Sequence, residues 1–212
     1  MRTPIITMLL VCVTIAACRQ DAPGTHPNQN TRSRLGNKRL KTPPAIRILP
    51  LGKTRPGQAR QVEQELKAVF KDVAILPARP MPQNALSRYE PRWRADTILT
   101  WMKSQIPAGQ VWIAVTREDI SHTKGKDPDY GIMGLGLRPG NACVVSDARL
   151  KVHRTDGFPK IVLHELGHTT GLHHCPDKNC TMQDAEGKNV TPQMNGFCKS
   201  CLEILQSKGW QL

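Results

Sequence analysis

Four of the seven histidines in this 212-residue chain fall within eleven consecutive residues, and their spacing can build a metal site. On a helix, His164 and His168 are four residues apart, so both rings leave the same face and can share one metal ion. Glu165 follows the first ring, where its carboxylate can reach a water bound to that metal. Gly171 can end the helix, since a residue without a Cβ takes the left-handed conformation readily. The turn would then bring His174 round as a third ligand.

Three neutral imidazoles leave the fourth position of a tetrahedral zinc ion open for water, which is typical of a catalytic site. A histidine-rich surface helix, or core histidines bonded to the backbone, is the alternative, but this pattern seldom arises by chance. His173 adjoins His174, yet the glycine turn selects the tenth position after His164 for the third ligand. We therefore interpret His173 as a surface residue or as a neighbour of the ligands.

The residues after these histidines extend the pattern with cysteines and a methionine. They are Cys175, Cys180, Met182, Cys198 and Cys201. The whole pattern, HExxHxxGxxH followed by C-x4-C-x-M and a closing CxxC, resembles the archaemetzincins, a branch of the metzincin zinc peptidases. The resemblance is strongest over residues 160–201 and extends more weakly from about residue 45.

The resemblance implies two zinc sites. The catalytic zinc ion would be bound by His164, His168 and His174, with Glu165 as the general base and Met182 beneath the site. The structural zinc ion would be bound by Cys175, Cys180, Cys198 and Cys201, and the spacing of these two cysteine pairs is also that of tetrahedral zinc. In an oxidising compartment, disulfides within each pair are the alternative. A disulfide within CxxC closes a very tight loop, so we expect metal there.

The expected function is peptide-bond hydrolysis by a monomer that carries two zinc ions and acts on peptide or protein substrates. Zinc lowers the pKa of a bound water from about 15.7 towards 7, and Glu165 would accept the water proton and pass it to the leaving amine. A catalytically silent, membrane-anchored zinc-binding interaction module is the alternative, but such a module has no need of Glu165. A net charge of +13 would suit nucleic acid, but predicted export argues against that partner.

The first eighteen residues predict export. Arg2 provides a positive start, and Ile5–Ile15 is an apolar run too short to span a bilayer as a permanent helix. Residues 15–18 resemble a bacterial lipobox, in which Cys18 becomes a lipidated N-terminus. A general secretory signal or an uncleaved anchor is the alternative. The acylated cysteine would hold the protein at a membrane surface on the periplasmic side, and Arg19 favours the outer membrane.

Residues 19–44 are polar, lack any helical or strand period and carry several basic side chains, so they predict a flexible tether. A basic segment beside a lipid anchor suits an anionic membrane face. A simple solvated spacer explains the composition equally well.

Residues 45–212 are expected to form the metallopeptidase domain, with an α/β fold. Strands are predicted at 45–51, 72–76, 111–116 and 142–146, and helices at 57–70 and 94–102. Alternating strands and helices indicate a largely parallel sheet. The resemblance adds a metzincin-like mixed, mostly parallel sheet with an active-site helix and a small zinc-stapled C-terminal subdomain. Asp156 or Gly157 can cap that helix, and Pro159 suits its first turn.

Smaller features complete the prediction. Residues 77–91 are expected to be irregular and 124–129 to form a polar turn. In metzincins an antiparallel strand at the sheet edge binds peptide by main-chain hydrogen bonds, and 134–137 and 143–146 are equal candidates for it. Cys143 is interpreted as a small buried hydrophobe. Lys160, Asp177 and Asp184 are expected to be solvated.

Overall fold

The structure, a computed structural model, describes residues 43–151 and 156–212. The predicted export signal with Cys18, and the predicted tether apart from its last two residues, lie outside these ranges. Within the described ranges, no helix is long and apolar enough to cross a membrane.

A five-stranded sheet and a three-stranded sheet form the framework of the described residues. The strands are β1 (Ala45–Pro50), β2 (Val73–Ile75), β3 (Trp93–Arg94), β4 (Gln110–Thr116), β5 (Ile120–Lys124), β6 (Asp127–Ile132), β7 (Gly134–Gly136) and β8 (Ala142–Ser146). The larger sheet has the order β2-β1-β4-β8-β7. Its first four strands are parallel, and β7 alone runs antiparallel to its neighbour. The sheet is therefore mixed and mostly parallel, which confirms the predicted fold class.

Four α-helices accompany the sheets in the described residues. They are α1 (Gln58–Lys67), α2 (Ala95–Lys103), α3 (Phe158–Thr170) and α4 (Lys199–Ser207). The first was predicted to reach residue 70 but ends at Lys67. Val69 and Phe70 continue its apolar spacing because they pack into the core from the following turn.

Both faces of the larger sheet are buried, as a parallel sheet requires. Along β4 the side chains alternate between two hydrophobic clusters, as the two-residue period of a strand dictates. Val111, Ile113 and Val115 pack with α1, α3 and α4, whereas Trp112 and Ala114 pack with α2. Cys143 has no exposed surface and belongs to the first cluster, so its interpretation as a small buried hydrophobe is confirmed.

The three-stranded sheet, of order β3-β5-β6, was not predicted from the sequence. The polar turn expected over 124–129 is wrong in extent, because Lys124 pairs with Asp127 across a β5–β6 hairpin. Both of these residues are exposed on the hairpin. Their polarity therefore reflects exposure to solvent within a strand pair rather than a turn.

A buried carboxylate joins this small sheet to the segment before it. Asp129 on β6 is 5% exposed and accepts hydrogen bonds from the hydroxyls of Ser121 at 2.6 Å and Ser87 at 2.8 Å. The guanidinium groups of Arg92 and Arg94 lie 3.7 Å and 3.5 Å from its oxygens. Burial raises the pKa of Asp129, but these hydroxyls and cations outweigh it and hold the pKa below its usual value.

Asp129→Asn is expected to lower the free energy of unfolding at neutral pH by about 1–3 kcal/mol, because it removes the charge that these donors satisfy. Because the pKa of Asp129 is lower in the folded than in the unfolded protein, the ionised carboxylate stabilises the native state above about pH 4. This stabilisation is lost as the pH falls through the folded-state pKa. The gap between wild type and variant in urea unfolding should therefore shrink in acid. Asp127→Asn, in the same strand but exposed, is the control. A gap that stays constant between pH 7 and pH 3 would contradict this account.

Candidate active site

Helix α3 carries the predicted metal ligands and is anchored by its apolar side chains. Gly157 precedes the helix without a side-chain cap, and Pro159 lies in the first turn. Ile161 and Leu166 are buried against the sheet. Gly171 ends the helix in the left-handed conformation at φ 108°, as the sequence predicted. The chain therefore turns directly after the helix towards the next candidate ligand.

Three imidazoles meet at the end of this helix. The ring centroids of His164 and His168 are 4.7 Å apart, and those of His174 lie 5.4 Å and 4.9 Å from them. The Nε2 atoms of His164 and His168 are separated by 3.1 Å. One nitrogen of each ring lies within 4.8 Å of the other two. His173 is exposed and does not belong to this group.

The other ring nitrogen of each histidine faces an oxygen. Nδ1 of His164 is 2.7 Å from the carbonyl oxygen of Thr181, and Nδ1 of His168 is 2.8 Å from that of Leu172. Nδ1 of His174 is 3.3 Å from a carboxylate oxygen of Asp184. Such contacts place the proton on Nδ1 and leave Nε2 free for a metal. Ligand nitrogens of tetrahedral zinc are about 3.3 Å apart, so the donor set fits zinc.

The two helical histidines are kept neutral, which is the form that binds metal. Burial lowers the pKa of His168 to about 4, and the neighbouring rings add to this, although the Leu172 carbonyl opposes it. Burial also lowers the pKa of His164. Both rings are therefore uncharged at neutral pH.

Glu165 is buried beside these rings and is covered by the edge strand β7. Its side chain borders the cleft, and only 6% of the residue is exposed. Burial raises the pKa of its carboxyl group to about 8, and the backbone of Gly136 partly opposes this. A Cβ atom added to Gly134 would lie 2.5 Å from Oε1 and 2.6 Å from Cγ of Glu165. The strand can approach the carboxyl group this closely only because it lacks a side chain there.

Gly134→Ala is expected to lower kcat/KM by about tenfold or more, because the added methyl group displaces the carboxyl group of Glu165. Assays of the peptide hydrolysis expected from the sequence measure this in the purified variant, with circular dichroism as a check on the fold and zinc content as a check on the histidine group. Activity equal to that of wild type, with the fold and metal unchanged, would show that the position of Glu165 does not depend on this close approach.

A cleft of about 610 Å³ opens onto the imidazoles and Glu165. Its walls come from the β5–β6 hairpin, β7, α3 and residues 184–194. Of the two candidate edge strands, β7 (Gly134–Gly136) lies at the edge. The candidate at 143–146 is wrong, because β8 pairs with β4 on one side and β7 on the other.

Of the two side chains at this cleft that were expected to be solvated, one differs from the prediction. Lys160 is half-buried, and its ammonium group donates to the carbonyl oxygens of Thr191 at 3.1 Å and Met194 at 2.9 Å. It therefore ties the cleft wall to α3 instead of being solvated. Asp184 is exposed as predicted, and its carboxylate also contacts His174. Lys160 contacts residues more than thirty positions away, and His174 contacts Asp184 across a loop, so neither contact could be predicted from local spacing.

Met182 is fully buried under α3. Its sulfur lies so close to Gly167 that a Cβ atom there would collide with it. Its carbonyl oxygen accepts a hydrogen bond of 2.7 Å from the N–H of Cys175. The residue therefore packs between helix α3, which carries His164 and His168, and the segment that begins at Cys175.

The four C-terminal cysteines form a second group. The sulfur atoms of Cys175, Cys180, Cys198 and Cys201 all lie within 4.8 Å of one another. Those of Cys175 and Cys198 are 3.7 Å apart, close to the separation of about 3.8 Å that tetrahedral zinc imposes on its thiolates. The sulfur of Cys180 also accepts the N–H groups of Met182 and Cys198. None of these four cysteines forms a disulfide in the structure, and their arrangement fits a metal.

Comparison with known proteins identifies similar chains. The model of peptidase family M54 matches residues 127–207. An archaemetzincin of Methanopyrus kandleri is 32% identical over 154 residues, covering 68% of this chain and 83% of that protein. An archaemetzincin of Haloquadratum walsbyi is 27% identical over 175 residues, covering 76% and 98%.

Solved structures agree with this similarity. The crystal structure of the Methanopyrus kandleri archaemetzincin has a TM-score of 0.66 to this chain at 26% identity, covering 77% of this chain and 94% of that one. The structure of an archaemetzincin from Archaeoglobus fulgidus, complexed with malonate, has a TM-score of 0.63 at 22% identity. It covers 75% of this chain and 99% of the other, and shows the shared fold.

Proposed function

The chain belongs to the archaemetzincin family of zinc metallopeptidases, peptidase family M54, and we propose that its three clustered imidazoles bind the catalytic zinc ion. The ligands are His164, His168 and His174. The proposal rests on the convergence of one nitrogen from each of the three rings. The other nitrogen of each ring, Nδ1, faces an oxygen atom. The substrates are peptides or proteins, as for a peptidase of this family.

Glu165 is the proposed general base. A zinc ion bound beside it would lower the pKa of a water ligand and polarise the scissile carbonyl group. Glu165 accepts a proton from the attacking water and later donates it to the leaving amine. Burial raises the pKa of the Glu165 carboxyl group, so this group can hold a proton. A zinc ion bound nearby would lower the same pKa and favour the charged carboxylate. The same group can therefore serve as base before attack and as acid afterwards.

The free edge of β7 is the proposed binding site for the substrate main chain. This strand lies at the sheet edge, directly above Glu165, and borders the cleft. An extended peptide can pair with such an edge through backbone hydrogen bonds. That pairing would hold the scissile bond alongside the carboxyl group.

A second zinc ion is proposed at the four-cysteine group, which gives two zinc ions per chain. The separation of its sulfur atoms supports this assignment. The group includes Cys198 and Cys201, at the start of α4, and Cys175 and Cys180, in the segment that follows the active-site helix. A metal there would attach the C-terminal helix to the catalytic site.

Hydrolysis of a diverse panel of fluorogenic peptides, before and after chelation, tests the proposed function. We expect cleavage by the purified protein, loss of cleavage with a chelator and recovery when zinc is restored. A protein that binds zinc yet cleaves no peptide of the panel would instead support a silent zinc-binding interaction module.

We also propose that the protein is exported and anchored in a bacterial membrane through Cys18, with the outer membrane favoured by Arg19. The lipobox-like residues 15–18 and the basic segment that follows them support this. Cys18→Ala is expected to abolish labelling by an alkyne fatty acid and to release the protein from the membrane fraction. Equal labelling of wild type and variant would refute the anchor.

A further inference from the structure

The three imidazoles of the metal site differ in what holds them. His164 and His168 face backbone carbonyl oxygens, which belong to Thr181 and Leu172. His174 instead faces a side chain, because its Nδ1 lies 3.3 Å from Oδ2 of Asp184. It is also the exposed member of the three, with 43% of its side chain accessible. The third ligand therefore has less packing to fix its ring than the other two.

We propose that Asp184 is a positioning residue that orients His174 and fixes its tautomer for zinc binding. This inference rests on the proposed role of His174 as a metal ligand. A carboxylate accepts hydrogen bonds only, so it requires the proton of His174 on Nδ1 and leaves Nε2 as the nitrogen for the metal. Carboxylate partners of this kind typically raise metal affinity by about 10–100-fold.

The second oxygen of Asp184 holds the carboxylate in place. Oδ1 accepts a hydrogen bond of 2.9 Å from the backbone N–H of Glu186. This bond closes a local turn and leaves Oδ2 directed at the ring. Asparagine can retain the turn through its own carbonyl oxygen, but its NH₂ group is a donor and cannot accept the Nδ1 proton.

Asp177 is a matched control within the same segment. Its Oδ1 accepts a 2.9 Å hydrogen bond from the N–H of Asn179, in the same two-residue turn. Both aspartates are exposed, but Asp177 does not belong to the contacts of the imidazole group. Asp177→Asn therefore reproduces the loss of charge and the retained turn without changing a side-chain partner of a histidine ligand.

Competition with a chromophoric chelator measures zinc affinity of the full-length protein, and long-range ¹H–¹⁵N NMR of labelled histidines reports the tautomer of His174. In Asp184→Asn we expect affinity at the histidine site to fall by about tenfold or more, with the cysteine site unchanged. In the metal-free wild type we expect His174 to carry its proton on Nδ1, and in Asp184→Asn to lose this preference. Asp177→Asn should match wild type in both measurements.

Equal zinc affinity and equal tautomers in the two variants would overturn the inference. If Asp184→Asn does not fold, the tautomer of His174 in the wild type decides, because a proton on Nε2 is incompatible with the proposed contact. A wild-type protein that binds no zinc at its histidines would refute the proposed function instead. The NMR measurement would still test the contact between Asp184 and His174 in that case.

Discussion

Replacing Glu165 by Gln is expected to lower kcat by about 10²–10⁴-fold while zinc remains bound, since general acid–base catalysis contributes about that much. The amide has nearly the shape of the carboxyl group but cannot accept a proton from water. Burial of the side chain leaves little room for another group to take its place. Substrate binding should change little, because the proposed peptide site on β7 is untouched.

Single-turnover hydrolysis and metal analysis of the same preparation measure both halves of this prediction. Glu186→Gln is the control, because Glu186 borders the same cleft and is exposed. It should retain activity close to that of wild type. Undiminished turnover in Glu165→Gln with zinc bound would remove Glu165 from the proposed mechanism.

Replacing Cys201 by Ala is expected to prevent binding of one of the two proposed zinc ions and to lower the free energy of unfolding strongly. Cys201 is 7% exposed, lies on α4 and packs in the same hydrophobic cluster as the active-site helix. Because such a site does not exist in the unfolded chain, the free energy of metal binding contributes directly to the stability of the folded protein. A zinc concentration a thousand times Kd contributes about 4 kcal/mol, so a loss of this order should appear in urea unfolding.

Cys143→Ala separates the loss of metal from the loss of a buried side chain. Cys143 is also buried in that cluster but does not belong to the four-cysteine group. This variant should keep both zinc ions and lose only the packing of one sulfur atom. Equal metal content and equal stability in Cys201→Ala and Cys143→Ala would contradict a structural zinc site. If either cysteine pair, Cys175 with Cys180 or Cys198 with Cys201, reacted with thiol reagents only after reduction, that pair would form a disulfide.

The local part of the site could be predicted from the sequence because helix geometry determines it. Spacings of four residues place His164 and His168 on one face, and a glycine at 171 requires the chain to turn. The strands of the larger sheet were also predictable where both faces are buried, since runs such as 111–115 are continuously apolar.

The rest depends on contacts between distant segments. The second sheet contains β6, whose first two residues, Asp127 and Pro128, are exposed and whose one buried residue is Asp129, so it lacks the apolar run of a buried strand. The contact of Asp184 with His174 depends on how the loop returns after Met182, and no spacing rule specifies that path. The close approach of Gly134 to Glu165 likewise depends on the pairing of β7 with β8.

Anomalous diffraction at the zinc edge from crystals of the zinc-loaded protein tests the central claim most directly. We expect one peak within bonding distance of a nitrogen of each of His164, His168 and His174, with the carboxyl group of Glu165 beside it. A second peak is expected among the four sulfur atoms. A loaded protein with no peak between the three imidazoles, or with His173 bound in place of His174, would contradict the proposed catalytic site.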